Sequence, residues 1–317
     1  MLYTLLLSII SFLLTYKIIS KLYPYLSSSI IDIPNDRSSH NNPTPSGAGI
    51  SFVIVSCMLT PFLKSNLMIT CLPLAILGFL DDKYTIPSKI RYLAQLITGL
   101  LLIFSSPNFT YLTELKLVFS LLNFTIILIS ITAIINFSNF MDGIDGLVVG
   151  CMINLLFFSS IINDMNLIPV VACLFAFIFW NWYPAKIFMG DSGSTYLGAL
   201  YFGVILSSNN LADAIGILLI GFPLWADAFI CVIRRAYKRQ KIFSAHKLHL
   251  YQRLNQAGWS HSLVSSMYIL FSFLLGLIYL NFGLIYLIFG CLTILIIGIF
   301  LDLKYAIPFI SKKLLID

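Results

Sequence analysis

The sequence predicts an all-α integral membrane protein with about eleven transmembrane helices and its polar loops on the cytoplasmic side. Of the 317 residues, 59% are hydrophobic and 10% are charged, and the mean hydropathy is +0.94. Soluble domains are about 25% charged, so this composition excludes a water-soluble globule. Apolar stretches recur along the whole chain, which also excludes one large buried core.

A helix that crosses the hydrocarbon core needs about 17–25 mostly apolar residues. We find no internal repeat, so residues 1–317 are predicted to form a single polytopic domain. The first apolar run lacks a basic start and a small-residue cleavage site, and is predicted to be a retained helix. The candidate spans are residues 2–20, 47–63, 66–80, 91–107, 117–136, 144–162, 167–184, 194–208, 211–231, 262–281 and 283–303.

The basic residues orient these spans. With the N-terminus in the periplasm, every Lys and Arg except Lys64 and Lys116 lies on or near the cytoplasmic side, as the positive-inside rule demands. The C-terminus is then cytoplasmic. The net charge of +6 is explained by topology, and no nucleic-acid partner is expected.

The acidic residues collect on the same side. Glu114 is the one glutamate, and in this orientation all aspartates except Asp164 and Asp213 fall at the inner edge. Carboxylates are costly in membrane helices, so those kept near helix ends usually have a function or a partner. The cysteines lie in or beside apolar runs without a CxxC motif, and are predicted to be buried thiols.

Four polar motifs carry the chemistry. The first, Asp81-Asp82-Lys83, closes the third span and is followed by Lys89 and Arg91. Adjacent carboxylates repel each other, so at least one needs a cation, a proton or a basic neighbour. Successive helical residues point about 100° apart, so one carboxylate is predicted to face a ligand while the other supports it.

The second motif places Asn136, Asn139, Asp142 and Asp145 three residues apart. On a helix this spacing gives one drifting polar stripe. The third is Gly190-Asp191-Ser192-Gly193-Ser194 before the eighth span. Its small residues should leave free backbone N–H groups that suit phosphate, and Asp191 suits a hard cation; an N-cap is the plain alternative.

The fourth motif, in the polar stretch 232–261, contains His246, His249 and Arg253. Two histidines three residues apart could be zinc ligands, but no further ligand of matching spacing follows in the sequence. Together with the basic residues around them, they are interpreted as a cluster for a diphosphate.

In this order the four motifs resemble the polyprenyl-phosphate N-acetylhexosamine-1-phosphate transferases, glycosyltransferase family 4. The resemblance covers residues 31–258. The loop from Asp32 to Gly49 and the run His246-Lys-Leu-His249 resemble the branch that initiates O-antigen-type polymers. Ser46 departs from the arginine that this branch commonly has before the glycines.

The resemblance implies transfer of a sugar-1-phosphate from a UDP-N-acetylhexosamine to undecaprenyl or another polyprenyl phosphate, with release of UMP. It implies Mg²⁺, or Mn²⁺ in its place, bound by Asp191, and a bacterial inner membrane with a cytoplasmic active site; a homodimer is a further expectation. The expected catalytic residues are Asp81, Asp82, Asp142 and Asp145. The expected substrate-binding residues are Arg37, His40, Arg91, Asn136, Asn139, Lys186, His246, His249 and Arg253.

Several alternatives stay open at this point. The lipid phosphate could attack directly, with Asp81 or Asp82 orienting or deprotonating it, or an aspartyl-phosphate could form first. The peptidoglycan enzyme, a phospho-MurNAc-pentapeptide transferase, is the competitor within the family. A transporter of phosphorylated solutes is the competitor from another class, although transporters place carboxylates near the midplane of two related halves.

Overall fold

The computed structural model describes residues 2–34, 39–40, 42–108, 117–240 and 246–309, with the backbone alone for residues 117–119. In these residues a short antiparallel pair joins β1 (Ile31–Asp32) to β2 (Thr44–Pro45). The helices are α1 (Leu2–Ser29), α2 (Ile50–Met58), α3 (Thr60–Leu63), α4 (Leu67–Thr70), α5 (Leu72–Tyr84), α6 (Ser88–Ser105), α7 (Leu117–Met141), α8 (Leu147–Ile162), α9 (Ile168–Asn181), α10 (Gly190–Leu206), α11 (Leu211–Ile220), α12 (Phe222–Tyr237), α13 (Leu250–Gln256), α14 (His261–Phe282) and α15 (Leu284–Lys304).

Each predicted span overlaps at least one of these helices, and the all-α membrane architecture is confirmed. By length and composition, four of the described helices can cross a bilayer, or five if α11 and α12 count as one bent span. Those two helices meet at 75°. Pro223, in the first turn of α12, has no N–H that could continue the backbone hydrogen bonds of α11. The number of crossings stays a prediction.

Two helices, α1 and α7, end at different residues from those that the sequence predicted. Helix α1 continues past the predicted end at residue 20 to Ser29, because Ile19 and Leu26, one face of two helical turns, are both buried. Helix α7 ends at Met141, and Gly146 adopts a left-handed φ of 75°. The stripe predicted from Asn136 to Asp145 is therefore helical only in its first half, and both aspartates lie in the α7–α8 loop.

Helix α10 forms the centre of the bundle. Every residue from Ser192 to Ile205 is buried, and its small residues allow close packing on neighbouring helices. A Cβ at Gly198 would lie 2.9 Å from Ile135 Cα on α7, and one at Gly193 would lie 3.1 Å from Gly49 Cα. This packing places the first turn of α10 against the ends of α5 and α7, where the polar motifs meet.

Candidate active site

The first turn of α10 is capped by a carboxylate from another helix. Asp191 N–H donates to Asp82 Oδ1 at 2.8 Å, and Ser192 N–H donates to Asp82 Oδ2 at 3.3 Å. Gly190 has a φ of 68°, and a Cβ there would lie 2.3 Å from Asp82 Oδ2, so only glycine fits this approach. Two of the N–H groups that were expected to be free for phosphate are therefore occupied by Asp82.

One arginine joins two of the predicted aspartates. Arg91 Nη1 donates to Asp81 Oδ2 at 2.7 Å and to Asp191 Oδ2 at 2.9 Å. Asp81 also accepts a hydrogen bond from Ile86 N–H. The two adjacent carboxylates of the first motif thus face different partners, as helical geometry predicted. Asp81 holds Arg91, whereas Asp82 holds the turn that carries Asp191.

The amide of Asn139 completes the surroundings of Asp191. Its Nδ2 donates to Asp191 Oδ1 at 2.7 Å and lies 3.1 Å from Ser194 Oγ. Asn136, one turn earlier, instead forms a reciprocal amide pair with Gln95, at 2.8 and 3.2 Å. Asn139 therefore orients the carboxylate directly, and Asn136 ties α7 to α6 beside it.

Asp142 is the carboxylate left without compensation. No hydrogen bond to its side chain exists among the described residues, although Asp82, Asp145 and Asp191 surround it. Burial, followed by repulsion from Asp191 and Asp82, raises the pKa of Asp142 well above its ordinary value. No basic side chain pairs with Asp142 itself among the described residues, and a carboxylate in this setting suits a hard divalent cation, which prefers oxygen ligands.

Asp145 differs from Asp142 because other protein groups contact its side chain. Its Oδ2 accepts from Ala185 N–H at 2.9 Å, and its Oδ1 lies 3.2 Å from His261 Nδ1. Its backbone carbonyl accepts from Ser265 Oγ at 2.7 Å. These contacts tie the α7–α8 loop to the α9–α10 loop and to α14, so Asp145 positions Asp142 rather than standing free.

Two cavities meet at this cluster. A polar cavity of about 400 Å³ is lined by residues that include Asp32, His40, Asp82, Asp142, Asp145 and His261. A larger groove of about 620 Å³ has a largely apolar wall that includes Leu74, Leu77 and Tyr92, with Lys89 and Arg91 among its polar residues. Asn139, Asp191 and Gln252 line both, so they form the boundary between a polar and an apolar space.

The histidine motif lies on the groove side. His246 and His249 both line the groove, with ring centroids 5.0 Å apart. Burial, followed by the charges of His249 and Arg235, lowers the pKa of His246 to about 3. This pKa disfavours the cationic form of His246 in the substrate-free protein, and its contact with a phosphate stays a prediction.

Three predicted substrate contacts are placed apart from the cavities or outside the described residues. Arg253 is buried and donates to Asp302 and to the carbonyls of Leu248 and Ile307, so its guanidinium holds the C-terminal segment. Lys186 is exposed, with Nζ 5.7 Å from the Trp180 ring centroid. Arg37 lies outside the described residues.

Sequence reasoning missed several residues of this site. Gln252 lines both cavities, and His261 pairs with Asp145. Asp227, on α12, accepts from the N–H groups of Leu250 and Tyr251, at 2.7 and 3.1 Å, and so anchors α13. The accumulation of aspartates at one edge included Asp227, but no local pattern pointed to its partners.

Known proteins similar to this chain are named as transferases of phosphorylated sugars. The family described as "Glycosyl transferase family 4" matches residues 65–209. A probable undecaprenyl-phosphate N-acetylglucosaminyl 1-phosphate transferase of Bacillus subtilis is 29% identical over 300 residues, covering 84% of this chain and 80% of that protein.

Two further relatives are named for different substrates. An undecaprenyl-phosphate alpha-N-acetylglucosaminyl 1-phosphate transferase of Thermotoga maritima is 28% identical, covering 85% of this chain and 88% of the relative. A phospho-N-acetylmuramoyl-pentapeptide-transferase of Dictyoglomus turgidum is 32% identical, covering 72% of this chain and 80% of the relative.

Proposed function

Because this chain belongs to glycosyl transferase family 4, we propose that it transfers an N-acetylhexosamine-1-phosphate from a UDP-sugar to a polyprenyl phosphate. UMP is released, and a polyprenyl diphosphate sugar is formed. The observation that carries the proposal is the meeting of a polar cavity and an apolar groove at Asp191. One substrate of this reaction is a water-soluble nucleotide sugar, and the other is a long lipid with a charged head.

The groove suits the lipid acceptor. Leu74, Leu77 and Tyr92 give it an apolar wall for an isoprenoid chain, while Lys89 and Arg91 provide positive charge for the phosphate. Arg91 is held by Asp81 and Asp191, and 40% of its side chain remains exposed. It can therefore contact the acceptor without losing its own position.

The polar cavity suits the donor. Its lining provides hydrogen-bonding groups such as His40, Asn139 and His261, which fit the hydroxyl, amide and phosphate groups of a UDP-N-acetylhexosamine. The reacting phosphorus then lies near the boundary formed by Asn139, Asp191 and Gln252. An oxygen of the lipid phosphate forms the new P–O bond there, and the bond to the UMP oxygen breaks in line.

Mg²⁺, with Mn²⁺ as a substitute, is the proposed cofactor. Asp191 and the uncompensated Asp142 would hold the ion, which supplies charge neutralisation for the donor diphosphate and the leaving UMP. Asp82 fixes the turn that carries Asp191, and Asn139 and Arg91 orient the Asp191 carboxylate. A lipid phosphate has a second pKa near 6, so it is mostly dianionic at neutral pH and needs little help from a base.

The relatives and the histidine motif support a finer proposal. The proposed sugar is N-acetylglucosamine or a related N-acetylated deoxysugar, since two relatives carry N-acetylglucosaminyl in their names. The proposed pathway is initiation of O-antigen or a related surface polysaccharide at the cytoplasmic face of a bacterial inner membrane. The relative from Dictyoglomus turgidum keeps the pentapeptide transferase as the second candidate.

The test is UMP release by the detergent-purified full chain with Mg²⁺, polyprenyl phosphate and a panel of UDP-N-acetylhexosamines that includes UDP-MurNAc-pentapeptide. We expect lipid-dependent release with a simple UDP-N-acetylhexosamine, abolished by EDTA and by Asp191→Ala. Asp164→Asn, at an exposed aspartate of the α8–α9 turn whose φ of 51° an asparagine also tolerates, is the control and should retain activity. Release with the pentapeptide donor alone would support the second candidate, and no release with any donor would contradict the transferase.

An assay without the lipid acceptor distinguishes direct attack from a route through an aspartyl-phosphate. We propose direct attack, because Asp81 and Asp82 are engaged with Arg91, Ile86 N–H and the α10 backbone. Incubation with a donor labelled in its β-phosphate should then leave the protein unlabelled. An acid-stable, hydroxylamine-sensitive label on the protein without acceptor would overturn direct attack.

A further inference from the structure

Three metal-type donors converge where α12 meets the histidine motif. Cys231 lies on α12, and His246 and His249 lie in the segment before α13. One donor atom from each residue lies within 4.8 Å of the others. The sequence offered the two histidines without a third ligand of matching spacing, and packing of α12 supplies that ligand from fifteen residues before His246.

An unsatisfied polar atom points to a ligand at this cluster. His249 is 2% exposed, and although its ring faces the first turn of α13 as an N-cap, no hydrogen bond of ordinary length reaches its Nδ1 from the described residues. Buried polar side-chain atoms usually have a partner. The nearest carboxylate oxygen, Asp227 Oδ1, is 3.8 Å away, beyond hydrogen-bond distance, and it already accepts from Leu250 N–H.

Both signs of charge surround the cluster. Asp302 pairs with both Arg234 and Arg253, and Arg235 also lies close to Cys231. The anionic donors for a divalent ion would therefore be a Cys231 thiolate, with the Asp227 carboxylate beside His249. One competing contact exists, since Leu248 N–H lies 3.2 Å from His246 Nδ1; a metal ion on that atom would replace this hydrogen bond.

We propose that Cys231, His246 and His249 bind a thiophilic transition-metal ion of the Zn²⁺ class, separate from the Mg²⁺ expected at the aspartates. One thiolate and two imidazoles are soft and borderline ligands that favour zinc over magnesium. Donor atoms around tetrahedral zinc lie about 3.5 Å apart, so a small inward movement of the three side chains closes the site.

Such an ion would join two elements that border the groove. It links the inner end of α12 to the segment that precedes α13, and α13 carries Gln252 at the boundary of both cavities. Metal binding would therefore order one wall of the groove. Binding displaces the thiol proton of Cys231, so affinity should fall as pH decreases.

The test uses Co²⁺ as a spectroscopic probe with the detergent-purified full chain, in excess Mg²⁺ and without donor or acceptor. We expect about one Co²⁺ per chain after dialysis, with a thiolate-to-cobalt charge-transfer band. Cys231→Ser should abolish this band, whereas Cys291→Ser, at another buried cysteine, should retain it. Competing Zn²⁺ should remove the band from the wild-type protein.

A second variant and a folding control distinguish loss of the metal site from misfolding of the chain. His246→Gln should keep the charge-transfer band but weaken Co²⁺ binding at least tenfold. Size-exclusion profiles must match the wild type for each variant that is compared. A wild-type chain that retains no Co²⁺, or a band that survives in Cys231→Ser, would overturn the metal site. Because neither substrate is present, this result bears on the metal site alone and leaves the transferase assay independent.

Discussion

At the scale of single residues, the site is organised around how each carboxylate is compensated. Asp82 accepts backbone N–H groups, Asp81 and Asp191 share Arg91, and Asp145 pairs with His261. Asp142 has none of these partners among the described residues. The carboxylates with protein partners hold the frame, and the one without them is the best placed to meet a cation or a substrate.

Asp142→Asn should separate catalysis from stability. The amide has nearly the same shape but removes a proposed metal ligand, so UMP release should fall roughly tenfold to a hundredfold and the Mg²⁺ requirement should rise. The melting temperature without metal should stay equal or increase, because one of several repelling carboxylates is lost. Asp164→Asn, exposed and away from the site, is the control; a lower melting temperature in Asp142→Asn would argue for a structural role.

Arg91→Lys should show that geometry matters as well as charge. A single guanidinium nitrogen of Arg91 contacts Asp81 and Asp191, and lysine is a point charge on a flexible stem. A charge-assisted hydrogen bond is worth about 1.5–3 kcal/mol, so kcat/KM for the polyprenyl phosphate should fall roughly tenfold. Arg239→Lys, at an exposed position, should leave this value unchanged. Equal kinetics for both variants would contradict the positioning role of Arg91.

At the scale of elements, the catalytic geometry depends on how closely α5 approaches α10. A Cβ at Gly78 would lie 2.5 Å from the Asp191 carbonyl carbon and 2.5 Å from Ser192 N. These are backbone atoms of the turn that Asp82 caps. The small residue in α5 is therefore required by an element more than a hundred residues later in the chain.

Gly78→Ala should push the two helices apart. Overpacking of this kind costs about 1–3 kcal/mol, and it moves Asp191 away from Arg91 and Asn139. We expect a lower melting temperature together with loss of most UMP release. Gly298→Ala on α15 is the matched control, since its Cβ would meet only Leu250 Cδ2 at 3.9 Å. Wild-type activity in Gly78→Ala would show that the contact between α5 and α10 is not essential.

At the scale of the whole molecule, the polar motifs lie at one end of an apolar bundle, and the proposed function requires this end to face the compartment that contains the UDP-sugar. Cysteine labelling in intact cells tests this orientation. A cysteine replacing Asp164 should react with a membrane-impermeant thiol reagent, whereas one replacing Arg239 should react only after the cells are opened. The six native cysteines are buried or half-buried, which limits the background. The reverse labelling pattern would invert the proposed topology.

Hydropathy alone determined which segments form the long apolar helices, but not where each helix ends, because a segment in lipid must satisfy its own backbone hydrogen bonds and so needs a long apolar run. The cost of burying charge likewise determined that the aspartates gather at helix ends. These constraints act on each segment separately, so they can be recognised in the sequence without a structure. For the same reason, the resemblance of the four ordered motifs identified the family without any coordinates.

Only the tertiary structure decided which polar groups meet. Asp82 caps the turn that holds Asp191, Arg91 bridges two helices, and Cys231 approaches His249. The partners in these contacts are separated in the sequence and are brought together by the packing of α10 and α12. No local spacing encodes such distances. Predictions from motif spacing therefore failed where a helix ended early, at Met141, or where another helix had already occupied the expected donors, at Asp191.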